Sequence, residues 1–394
     1  MVTVGQHSRG NHTQRLTRVV LLLRSQGFLV VLIYIISAFS FFHLGRQSNL
    51  DECISIFTES NTNAAVRTRT TDEIIEYKPA STEFYVMKNA DKLGFDRVRV
   101  NPVTCSMWQD PTVTTPENHA NLVAYISELE AYQQAVKNFK PIPNLMSSIK
   151  NTNGKHEICD ATKLHPDGIT GFFSRNQLSL TASGYVEPLL PPQRHPNLCG
   201  SEEYIMSMDY LVHDFEAMCH KLKPTSKLVL IDIGASLDFH GKDQPIIWLM
   251  NVYEKMGFHF DHIYGFEPAY TDPKSVYEDL LPEKYFPSYH WINVGVSPEK
   301  GDKLNPLNSI LKQFDEDDFI VLKLDIDEAS IELQLVLELL EDKRYSKLVD
   351  QFYFEHHVHM KELEAHWHMK GSVKYSLEIF SQLREKGIPA HFWP

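Results

Sequence analysis

From residue 227 onward the chain alternates between short, almost wholly apolar runs and longer stretches whose apolar residues recur every three or four positions. The first pattern predicts strands buried on both faces, the second amphipathic helices. Leu228-Val-Leu-Ile-Asp-Ile233 reads as a strand, as do His262-Ile-Tyr-Gly-Phe266, His290-Trp-Ile-Asn-Val-Gly-Val296 and Asp318-Phe-Ile-Val-Leu-Lys-Leu-Asp-Ile326. A further strand is predicted over 351–358, and the chain end, Phe392-Trp-Pro394, leaves room for one more. Helices are predicted over 244–256, 273–281, 329–340 and 372–386. Strands alternating with helices imply right-handed crossovers and a parallel sheet with helices on both faces. Ligands in such sheets bind beyond the carboxyl ends of the strands. Chemistry is therefore expected in the loops after Ile233, Phe266, Ile326 and Tyr353.

Upstream the pattern is looser. A helix is predicted over 115–139, opened by Pro116-Glu117 with Leu122, Ile126, Leu129 and Tyr132 at helical spacing. Another is predicted over 201–223, where Tyr204, Met208, Leu211, Phe215 and Met218 form one stripe that reads as core. Residues 140–200 are rich in proline and loops, and residues 46–80 form a polar stem.

At the N-terminus, Gly27 to Leu44 carries no formal charge. A helix crosses a bilayer with about 20 apolar residues, and no small-x-small cleavage site follows this one. It reads as an uncleaved signal anchor. Four arginines precede it and one follows, which puts the N-terminus in the cytosol and the rest in a lumen. The expected organisation is a cytosolic tail over 1–26, an anchor over 27–45, the stem, a cap region over 81–224 and an α/β domain over 225–394. The expected place is the endoplasmic reticulum or Golgi, as a type II membrane protein.

Composition narrows the function classes. Hydrophobic residues at 43% and charged residues at 23% describe a chain that folds around a core. The net charge is −13; setting aside the five arginines of residues 1–50 leaves 33 basic against 51 acidic residues, about −18 for the remainder. Such a body does not neutralise a duplex, so nucleic acid is excluded as a partner. All five cysteines precede residue 220, and an oxidising lumen allows one or two disulfides among them. The only glycosylation sequon, Asn11-His12-Thr13, falls in the tail.

The first strand runs into Asp232-Ile-Gly234-Ala235-Ser236, small residues that let backbone approach a ligand. The second ends at Phe266-Glu267-Pro268, with Glu267 lying 35 residues after Asp232. A strand-end acid there can accept hydrogen bonds from both ribose hydroxyls of an adenine nucleoside. With Asn293-Val-Gly-Val-Ser297 and Lys323-Leu-Asp-Ile-Asp327, these segments resemble the FkbM-type family of S-adenosylmethionine-dependent methyltransferases. The resemblance covers roughly residues 225–360. It implies a Rossmann-like methyltransferase fold, with Asp232 and Gly234 near the methionine part of the cofactor, Glu267 at the ribose, and Ala235 and Ser236 as further cofactor-binding residues. It also implies O-methylation of a hydroxyl on a small-molecule or glycan acceptor.

Around that centre lie further candidates. Asp325 and Asp327 fall where substrate would sit, and His357 is the preferred base for the acceptor hydroxyl. On a continuing strand Glu355, His357 and His359 share one face and are candidate metal ligands. Asp325-Ile-Asp327 also admits a type II glycosyltransferase holding Mn²⁺ against a nucleotide sugar. The first loop continues Leu237-Asp-Phe-His-Gly241, bulkier than the family pattern, so a non-catalytic binding protein is a third reading.

Overall fold

The computed structural model describes residues 76–93, 114–152, 156–164, 177–190, 207–237, 244–356 and 371–393. All belong to one compact unit spanning 66–394. The expected anchor over 27–45, most of the stem, His357 and His359 lie outside the described residues. No helix among the described residues is long and apolar enough to cross a membrane.

In chain order, leaving aside short helical turns such as Pro273–Ser275 and Pro306–Ser309, the elements are α1 (Ser81–Leu93), α2 (Pro116–Asn138), α3 (Leu145–Asn151), β1 (Ser179–Thr181), β2 (Gly184–Val186) and α4 (Phe215–Cys219). They continue with β3 (Leu228–Ile233), α5 (Pro245–Lys255), β4 (His262–Phe266), β5 (Tyr289–Ile292) and β6 (Phe319–Leu324). The last are α6 (Ala329–Glu341), α7 (Lys343–Leu348), β7 (Val349–Phe354), α8 (Val373–Glu385) and β8 (Ala390–Phe392). Six strands form one sheet in the order β5-β4-β3-β6-β7-β8, and every pair is parallel. This is the doubly wound order, and it reverses direction at β3 and β6. All residues of β3, β6 and β7 are buried, the polar Asp232, Lys323, Asp350 and Gln351 among them. Helices flank the sheet, and α2 starts where predicted because the Thr115 hydroxyl accepts the Asn118 N–H.

Three expectations need correction. The helix over 201–223 is, among its described residues, only α4; residues 207–214 are not helical. The Val212 N–H donates to Glu187 and the His213 N–H to the Tyr132 hydroxyl, so long-range side chains satisfy this backbone. Its apolar stripe is nevertheless core, with Met208, Leu211, Phe215 and Met218 all buried. The third strand ends at Ile292, where the Asn293 amide turns aside to donate to the carbonyls of Glu267 and Ala269. The strand predicted over 351–358 stops at Phe354, so Glu355 stands beyond it.

The upstream segments share one continuous hydrophobic core with the sheet. They meet it at the β8 edge through buried polar groups. Arg384 of α8 is 3.2 Å from Glu83 of α1 and donates to the Glu187 carbonyl at 2.9 Å. His391 of β8 pairs with Glu187 at 2.8 Å, and the Tyr210 hydroxyl donates to the Phe392 carbonyl at 2.8 Å. A disulfide joins Cys159 to Cys219, 60 residues apart. Closing a loop of that length stabilises the fold by about 4 kcal/mol in the chain-entropy account.

Candidate functional site

The sheet order reverses between β3 and β6, and the loops there are stitched together through backbone. The N–H groups of Gly234 and Ala235 both donate to the Phe266 carbonyl at 2.9 Å. The Asp325 N–H donates to the Ile233 carbonyl at 2.9 Å. Gly234 takes φ +92°, and a Cβ on it would stand 1.6 Å from the Asp325 carbonyl oxygen. Only glycine permits both the conformation and the approach.

Beneath this junction the register sets Trp291, Gly265, Asp232, Lys323, Tyr353 and His391 side by side on one face. Lys323 is buried and lies 3.3 Å from Asp232 and 3.1 Å from Asp325. It donates to the Gly234 carbonyl at 2.7 Å. The Trp393 ring centroid lies 5.6 Å from its ammonium. One cation thus ties the ends of β3 and β6 to the glycine turn. Burial works against the Lys323 ammonium, but the two carboxylates outweigh it and hold its pKa above the ordinary lysine value.

Asp232 is 1% exposed, and its Oδ1 has the ion pair with Lys323 but no hydrogen bond. Burial pushes its carboxyl up to about 6 despite Lys323. A carboxyl that holds its proton more tightly folded than unfolded loses stability as pH rises. Its contribution is whole below about pH 4, near the unfolded pKa, and gone above the folded value. The stability of the protein relative to Asp232→Asn should therefore fall by about 3 kcal/mol between pH 4 and pH 7. Denaturant titrations across that range measure it. A rise instead would mean that attraction to Lys323 outweighs desolvation.

Glu267 stands at the end of β4, 7% exposed. The Ser236 hydroxyl donates to its Oε2 at 2.9 Å and the Ala269 N–H to its Oε1 at 2.7 Å. Each carboxylate oxygen can accept more than one hydrogen bond, so the group is oriented while keeping acceptor capacity. The structure thus brings Asp232, Gly234, Ala235, Ser236 and Glu267 to one edge. Gly265, paired with Asp232, is kept free of a side chain by the neighbouring Tyr289 hydroxyl, 2.4 Å from where a Cβ would stand. That hydroxyl is buried without a hydrogen-bond partner. Such a group costs about 1–3 kcal/mol, so Tyr289→Phe is expected to raise stability by about 1 kcal/mol. A fall in the unfolding midpoint would show that the hydroxyl is satisfied in solution.

On the other side of the switch point, the Glu355 N–H donates to the Leu324 carbonyl at 3.1 Å, which draws the end of β7 against β6. One carboxylate oxygen each from Asp325, Asp327 and Glu355 then lie within 4.8 Å of one another. Hard cations prefer such oxygens. This set joins two motifs that the sequence left separate. Asp327 adopts φ 58°, a left-handed conformation that aspartate tolerates better than most residues. Lys323 and Asn293 stood in motifs quoted from the sequence without a role of their own, and Tyr289 was not singled out. The available signal was a lysine inside an otherwise apolar run. No family model, curated protein or solved structure matches the chain.

Proposed function

We propose that the chain is an S-adenosylmethionine-dependent O-methyltransferase with a Rossmann-like domain, acting on a hydroxyl of a small-molecule or glycan acceptor. The observation that carries the reading is the oriented carboxylate of Glu267 beside the Gly234 turn, at the reversal point of a doubly wound sheet. These residues fit a nucleoside. Glu267 would accept the ribose hydroxyls, and the close-packed turn of Gly234 to Ser236 would let the rest of the cofactor lie against backbone. Asp232, buried and ion-paired to Lys323, supports the turn from beneath.

The cofactor supplies a methyl group activated by its sulfonium charge. The chain's part is to align the acceptor oxygen with that carbon and to receive the hydroxyl proton. Asp325, Asp327 and Glu355 line the acceptor side as proton acceptors, and His357 follows two residues after Glu355. Anchoring by residues 27–45 with the domain in an oxidising lumen is part of the proposal, and the Cys159–Cys219 disulfide supports it.

Glu267→Ala should weaken S-adenosylhomocysteine binding at least tenfold while leaving the fold intact, as about 1.5–3 kcal/mol per charged hydrogen bond requires. Calorimetry on the folded variant checks this, and unchanged affinity would count against the site. A second reading is favoured by the acidic trio itself. A glycosyltransferase would use Asp325, Asp327 and Glu355 to hold Mn²⁺ against a nucleotide diphosphate.

A further inference from the structure

A concave feature lies at the amino-terminal edge of the sheet, opposite the candidate site. Residues 312–316 lead into β6 and α7 leads into β7. Between them is a cavity of about 510 Å³. Its lining carries four basic side chains, Lys312, Lys343, Arg344 and Lys347, against two acidic ones, Asp315 and Glu316. A cationic lining runs against the charge of the whole chain, which is −13. Walls of low dielectric focus such a local field.

Two of the cations have carboxylate partners at the surface, where the Arg344 side chain is 80% exposed and that of Lys347 43%. Lys347 pairs with Glu316 at 2.9 Å, and Arg344 forks onto Asp342. Lys312 donates to the neutral amide oxygen of Asn308 at 2.7 Å, so its charge is not cancelled there. Two rings complete the lining. Tyr345 lies 5.7 Å beneath the Arg344 guanidinium, and Phe314 lies 5.8 Å from the Lys227 ammonium. The volume falls within the range of small-molecule pockets. Cations suit an ester anion, and flat apolar faces suit a ring.

We infer that this cavity binds a small, ring-bearing phosphate or sulfate ester, at a site separate from the carboxyl edge. The test is calorimetric titration of the full-length chain with glucose 6-phosphate and with glucosamine 6-sulfate, which differ in the ester. Co-sedimentation with vesicles containing phosphatidylinositol 4-phosphate, read as the excess over otherwise identical vesicles lacking it because the anchor inserts into both, distinguishes a free ester from a lipid headgroup. At least one soluble ester should bind, less tightly as salt rises, and Arg344→Glu should weaken it at least tenfold. Lys312→Gln should weaken it several-fold without reversing any charge. No binding of either ester at millimolar concentration, equal binding by both variants, or binding to the vesicles alone would overturn the inference.

Discussion

Lys323→Met should cost about 3–5 kcal/mol of stability at neutral pH, the penalty for removing one partner of a buried ion pair. Methionine fills much of the volume, so the loss is electrostatic. Asp232 would be left buried beside Asp325 without the cation that both now share, and the Gly234 carbonyl would lose the Lys323 donor. The burial that already lifts the Asp232 carboxyl would act unopposed, and the group would take up a proton instead of staying charged. The cost should therefore shrink as the pH is lowered towards 5. Combining the change with Asp232→Asn should recover a large part of the loss, because the two residues share one interaction. Denaturant unfolding of the single and double variants measures this. A cost below about 1 kcal/mol, or strict additivity, would contradict a keystone role for Lys323.

Gly234→Ala should be at least as damaging, on the order of 5 kcal/mol, in the range reserved for a named steric failure. The new Cβ would stand 1.6 Å from the Asp325 carbonyl oxygen, and that atom belongs to backbone that cannot rotate away. The φ of +92° adds strain of its own. Gly301 separates the two contributions. It has φ +82°, but a Cβ on it would meet nothing within 4 Å, so Gly301→Ala should cost only about 1–2 kcal/mol. Equal losses at the two positions would mean that conformation alone, not the close approach of β3 and β6, demands glycine at 234.

The difference between these residues explains what could be read from sequence. The strands β3, β4 and β6 were legible because local apolar runs suffice to specify a buried strand. The place of Glu267 at the switch point was legible because it follows the second strand, which is a matter of order along the chain. The pairing of Lys323 with Asp232 was not, because the two become adjacent only through the register of β3 with β6. The same holds for residues 207–214, whose stripe mimics a helix while Glu187 and Tyr132 hold the backbone from far away in sequence. The hairpin of β1 and β2, three residues to a strand, is too short to leave a periodic signal.

The acidic trio shows the limit from the other side. Asp325 and Asp327 suggested a cation from sequence, and Glu355 was grouped with histidines on an imagined longer strand. Ending β7 at Phe354 regroups Glu355 with the aspartates. The methyltransferase reading and the glycosyltransferase reading now draw on neighbouring halves of one edge, Glu267 on one side and the trio on the other.

Calorimetric titration of the full-length chain with S-adenosylhomocysteine, and separately with a UDP-sugar plus Mn²⁺, tests the central claim most directly. The account predicts metal-independent binding of S-adenosylhomocysteine and none of the nucleotide sugar. Manganese-dependent binding of the nucleotide sugar that is lost in Asp325→Ala, with no binding of S-adenosylhomocysteine, would contradict it.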